Sequence, residues 1–85
     1  MAKRITGLVL RDGDRTRLNR YLRSGSTSHR LHRRARAILM MADGRALRAV
    51  AEALSASVAS VTIWRNLYRE GGVEALVQPN RWPKS

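Results

Sequence analysis

Apolar residues recur along this chain at helical rather than strand spacing. Leu18, Tyr21 and Leu22 share one face of a first helix that starts after Asp12-Gly13-Asp14, where a cap and two carboxylates suit a helix N-terminus. The run from Ser24 to Ser28 breaks the pattern, and Ser26 or Thr27 is suited to cap the next helix. From about Ser28 to Ala42, Leu31, Ala35, Ile38, Leu39 and Ala42 form a single apolar stripe. The opposite face then shows His29, Arg33, Arg36 and Met40, with Arg30 and Ala37 beside them. Gly44 supplies a left-handed stop. Leu47, Val50, Ala51 and Leu54 mark a short third helix, and Ser55-Ala56-Ser57 a turn whose last residue caps a fourth. That helix, from Val58 to Glu70, gathers Val61, Trp64, Leu67 and Tyr68 on one side. Gly71-Gly72 closes it, with one further turn over Val73–Leu76. The predicted fold is all-α: a small bundle of four to five short helices containing a helix-turn-helix, with an extended N-terminal arm. The expected boundaries are an arm over 1–10, a helical domain over 11–77 and a basic tail or linker over 78–85.

Charge changes this picture. The 85 residues carry 17 Lys or Arg against 6 Asp or Glu, a formal net charge of +11. Fifteen of the basic residues are arginine, the side chain that makes planar bidentate contacts to phosphate and to guanine. Eleven basic and two acidic residues fall in 1–36, six and four in 37–85. A polyanionic partner is the economical explanation of so concentrated a charge. A chain this short buries only about 60% of its unfolded surface and is small for an enzyme scaffold. It has no cysteine, which excludes disulfides, thiol nucleophiles and thiolate metal sites. No run of about 18 apolar residues exists to span a bilayer, and MAKRITGLVL is too short and too weakly apolar for a secretory signal. An intracellular, nucleoid-associated location in the cytoplasm is expected, with no membrane and no small-molecule substrate.

The third and fourth predicted helices carry the candidate chemistry. Two short helices joined by a tight turn, the second exposing Thr, Asn and Arg, are the arrangement of a helix-turn-helix. Ala51 offers the small residue where the helices cross, and Val61 and Trp64 hold the second helix so that its far face enters a major groove. The candidate base-reading set is Val58, Ala59, Thr62, Ile63, Arg65, Asn66 and Arg69. In it, arginines address guanine or phosphate, Asn66 adenine, and the smaller side chains thymine methyls or backbone. Arg45, Arg48, Ser57, Ser60, Arg33 and Arg36 form the candidate phosphate set, and Lys3, Arg4, Arg81 and Lys84 can reach along adjacent minor groove. For Arg33, Arg34 and Arg36, three readings stand: a second DNA surface, a docking face for another domain or subunit, or a solvated patch.

The run from Ser28 to Leu76 resembles the N-terminal DNA-binding domain of bacterial insertion-sequence transposases of the mariner-like superfamily. The resemblance rests on HRLHRRARAILMMADGR (29–45), AVAEALSASVASVTIWR (49–65) and GGVEAL (71–76), and LRDGDRTRLNRYLRSG (10–25) shares its character. It implies binding of terminal inverted repeats, with DNA cutting and joining left to a separate domain holding three metal-binding carboxylates. Nine residues follow position 76, and that catalytic domain is expected to be absent from this chain. Ser55 stands where the family's turn glycine is usual, Ala46 where a serine caps the third helix, and Val58 and Ile63 where arginine is frequent.

Rival chemistries find less support in the residues. Trp64 and Tyr68 can stack on single-stranded bases, but their spacing with Val61 favours burial. His29 and His32 have no cysteine or nearby carboxylate to complete a metal site. The acidic residues Asp12, Asp14, Asp43, Glu52, Glu70 and Glu74 scatter over caps and helix surfaces, so no catalytic pair, no metal and no cofactor is expected. Double-stranded DNA is the expected partner, and a homodimer stands as a candidate assembly. The alternative function is a stand-alone transcription regulator acting as a dimer on a palindrome. A third reading is an RNA-binding or scaffold protein that uses charge and shape without reading bases.

Overall fold

The computed structural model describes residues 8–77, in which four helices occur and no strand. They are α1 (Asp14–Arg23), α2 (His29–Ala42), α3 (Leu47–Ala53) and α4 (Val58–Val77). The arm residues Lys3 and Arg4 and the tail residues Arg81 and Lys84 lie outside the described residues.

Gly13, at φ 82, turns the chain into α1, where no side chain caps the helix. Asp14 lies in the first turn, where a carboxylate complements the helix dipole. Ser28, rather than the expected Ser26 or Thr27, caps α2: its hydroxyl accepts the Leu31 amide at 3.1 Å. The Ser24 and Ser26 hydroxyls bond each other instead, at 3.2 Å. Ala46 gives α3 no side-chain cap. Gly44 adopts φ 96 in the turn before it, the backbone a left-handed stop requires.

The core is wider than one stripe per helix. Ala35, Ala37, Ile38, Leu39 and Met41 of α2 are all buried, and Ala42 is only half-buried. Ala37 was expected beside the outer face. It is buried because α2 is the central element, packed against α1, α3 and α4. Leu18, Ile38, Met41, Val50, Val61, Tyr68, Val73 and Leu76 are fully enclosed, each stabilising the fold by about 1.5–3 kcal/mol in transfer free energy. Leu8 also joins this core, Leu10 packs against it, and Val9 between them is exposed. That alternation is the period of an extended strap. The packed unit thus takes in Leu8 and Leu10, which a boundary at residue 11 leaves outside.

The fourth helix is broken at Gly72 (φ 70, ψ −157) and resumes to Val77. This bend accounts for the fifth short helix that the sequence suggested. Val73, Ala75 and Leu76 of the resumed turn are buried. A Cβ at Gly72 would lie 2.6 Å from the Arg11 guanidinium, and the backbone angles there are essentially restricted to glycine.

Candidate nucleic-acid interface

Helices α3 and α4 turn through 111° across the break at residues 54–57. That is the crossing expected of a helix-turn-helix pair. Ala51, 3% exposed, lets the two helices approach. Val61 and Tyr68 face the core from α4, and Trp64 and Leu67 pack half-buried against it. The remaining side of α4 presents Val58, Ala59, Ile63, Asn66 and Arg69 to solvent, with Thr62 half-exposed.

The turn itself carries strain. Ser55 adopts φ 54 and is the non-glycine residue with positive φ among those described. For an L-residue this conformation costs roughly 1–2 kcal/mol. Arg33 of α2 offsets the strain by donating from its NH2 group to the Leu54 carbonyl at 2.8 Å and the Ser55 carbonyl at 3.3 Å. Its guanidinium carbon also sits 5.8 Å from the Trp64 ring centroid, a cation–π contact. One side chain thereby ties the central helix, the turn and the exposed helix together. Ser55→Gly is expected to raise stability by about 0.5–1 kcal/mol, the strain relieved less the extra unfolded-state entropy of glycine. A higher melting temperature checks this, and an unchanged or lower one contradicts it.

At the start of α4, the Ser57 hydroxyl accepts the Ser60 amide at 3.0 Å and donates to the Ser60 hydroxyl at 3.1 Å. Ser57 is thus first a cap. The leading amides of α4 precede its first intrahelical bond and point outward, where an anion is favoured. The Thr62 hydroxyl donates to the Val58 carbonyl at 2.8 Å, which uses its one hydrogen.

A strap from the N-terminal segment fixes the far end of the exposed helix. The Tyr68 hydroxyl, inside the core, accepts the Arg11 amide at 2.8 Å and donates to the Asp14 carboxylate at 2.6 Å. Burial, then this bond to Asp14, push the Tyr68 phenol above its ordinary pKa. The Arg11 side chain donates to the Arg69 carbonyl at 3.2 Å and lies 5.7 Å from the Tyr68 ring centroid. Arg34 does similar work at the end of α4, donating to the Leu76 carbonyl at 3.1 Å. Burial, and secondarily the neighbouring Arg30, lower its pKa.

A family model described as a homeodomain-like domain matches residues 28–77. The chain belongs to the homeodomain-like family. No curated protein and no solved structure matched it. The homeodomain-like match spans α2 to α4, with α3 and α4 as its helix-turn-helix pair, and supports a DNA-binding domain. Helix α1 and the Arg11 strap lie before the matched segment.

Within this homeodomain-like unit the candidate residues separate by position. Val58, Ala59, Ile63, Asn66 and Arg69 share the exposed side of α4 with Thr62. Arg65 lies apart on the inward flank, half-buried, and its Nε is enclosed with no hydrogen-bond partner among the described residues. Arg36, Arg45 and Arg48 are exposed. Arg33, expected on the phosphate set, is engaged with backbone carbonyls inside the fold because the strained turn beside it presents them. Asp14, expected at a helix start among acidic residues on caps and helix surfaces, is 7% exposed. The Arg11–Tyr68–Asp14 linkage and the Arg34 contact had no local signal: their partners are more than forty residues apart in sequence.

Proposed function

We propose that this chain binds double-stranded DNA by placing the exposed face of α4 in the major groove, as the terminal-repeat-binding part of a transposase. The observation that carries the DNA reading is the division of α4: Val61 and Tyr68 are buried while Asn66 and Arg69 are exposed, on a helix set at 111° to α3. A groove about 12 Å wide admits a helix presented in this way. The resemblance of segments 29–45, 49–65 and 71–76 to insertion-sequence transposases supports the finer role.

In this reading Asn66 pairs with adenine, and Val58, Ala59, Thr62 and Ile63 meet the base edges over the first turns of α4. Arg65 contributes from the rim of the interface, and Arg69 reaches a phosphate near the end of the helix. Arg36, Arg45 and Arg48 contact phosphates, and Ser57 and Ser60 hold one at the helix start. Arg33 acts indirectly, by setting the turn. The chain's own contribution is recognition, and it supplies no step of strand cutting or joining.

Asn66→Ala is expected to lose about 1–3 kcal/mol of discrimination at one base pair, whereas Arg45→Ala weakens all sequences alike. Binding to a selected duplex and to random duplexes, measured side by side, checks both. Equal losses on the two DNAs from both variants would refute the division of roles. A palindromic selected site bound by a dimer would move the finer role from transposase to regulator.

A further inference from the structure

We infer that the recognition face reads an A·T-rich element through thymine methyl groups, with Asn66 supplying the hydrogen bonds to adenine. This rests on the DNA-binding reading and adds to it the class of base pair recognised.

The reasoning starts from which side chains α4 can offer over its first three turns. Helices of this kind contact base edges mainly with their N-terminal residues. Here those residues are Val58, 45% exposed, Ala59, and Ile63, 57% exposed. Exposing two large aliphatic side chains to water on one small helix face is unfavourable without an apolar surface to meet them. The thymine C5-methyl is the one apolar group that a base pair of unmodified DNA shows in the major groove. Thr62, between them, spends its hydroxyl hydrogen on the Val58 carbonyl. It therefore keeps no hydrogen to donate to guanine O6 or N7.

Guanine is read most often by a bidentate arginine, and α4 places neither of its arginines for that. Arg65 is on the inward flank with its Nε enclosed. Arg69 lies eleven residues beyond Val58, roughly 16 Å further along the axis, at a turn whose carbonyl Arg11 holds. Asn66, exposed midway, has the donor and acceptor pair that matches adenine N7 and N6. Carbon surface followed by one amide is complementary to consecutive A·T pairs and lacks the bidentate arginine by which guanine is most often read.

The test is selection of bound duplexes from a random pool with the 85-residue chain, followed by resynthesis of the selected site with deoxyuridine replacing thymidine. Uracil pairs as thymine does but lacks the methyl. The expected result is enrichment of A·T pairs across three or more adjacent positions, with affinity falling about fourfold for each contacted methyl removed. In Ile63→Ala, the thymine-to-uracil ratio should fall toward one at the position Ile63 covers. Because that side chain is exposed, the variant should keep the wild-type far-ultraviolet circular dichroism. Enrichment of G·C pairs, or A·T enrichment indifferent to uracil, overturns the inference while leaving duplex binding intact. Failure of every duplex to bind overturns the DNA-binding reading itself, and this inference with it.

Discussion

Between about 50 and 200 mM salt, the affinity of this domain for duplex DNA should fall by about 10³–10⁵. The size follows from counterion release: each phosphate neutralised contributes close to one unit of slope in a double-logarithmic plot, and six to ten contacts give this range. Arg36, Arg45, Arg48 and Arg69 are exposed for that role, within a chain of formal charge +11. The term is independent of base sequence, so specific and random duplexes should lose affinity with similar slopes. Arg45→Ala and Arg48→Ala should each reduce the slope by about one. Titrations at three or more salt concentrations measure it. A loss below about tenfold over this range would mean that the cationic surface does not lie against the phosphates.

Replacing the core tyrosine, Tyr68→Phe, should lower stability by about 1.5–3 kcal/mol, the value of a hydrogen bond to a charged group. The phenol hydroxyl stands between the Arg11 amide and the Asp14 carboxylate, and phenylalanine satisfies neither. The Asp14 carboxylate, 7% exposed, would be left in an enclosed site without that donor. In a domain of this size such a loss is a large part of the whole stability. Burial of the phenol, and then its bond to Asp14, give a pH dependence of known sign. Folding raises the Tyr68 pKa above its unfolded value near 10. Its contribution is therefore complete below pH about 10 and is lost as pH rises through the folded-state value. Urea unfolding at pH 7 and at several values above 10 separates the two effects. Tyr68→Phe should be weaker at pH 7 and show a shallower alkaline decline than the parent. Matching curves for parent and variant at both ends would show that the hydroxyl stabilises nothing.

The all-α class, the positions of all four helices and the exposed side of α4 are legible in the apolar spacing, because a helix with one wet face repeats its buried residues every three to four positions. The same spacing is blind to how many neighbours a helix has. Ala37 counts as an outer residue when α2 is drawn with a single partner, and it is buried because α2 packs against α1, α3 and α4. Ser55 is legible as an unusual residue for a turn, while its left-handed backbone and the Arg33 clamp are visible only once α2 lies against the turn.

Arginine shows the same division most plainly. Its abundance marks a cationic domain suited to a polyanion, and composition alone settles that much. Which arginines face outward was decided by tertiary structure. Arg11, Arg33 and Arg34 each turn back onto a backbone carbonyl in the last turn of a helix segment or just beyond it. Carbonyls there lack partners within their own helix, and a guanidinium from a distant element can supply the missing hydrogens. Local periodicity sets where a helix runs and which side it buries. The choice between holding the fold and meeting a ligand depends on which chain ends come within reach, and only the assembled helices bring them there.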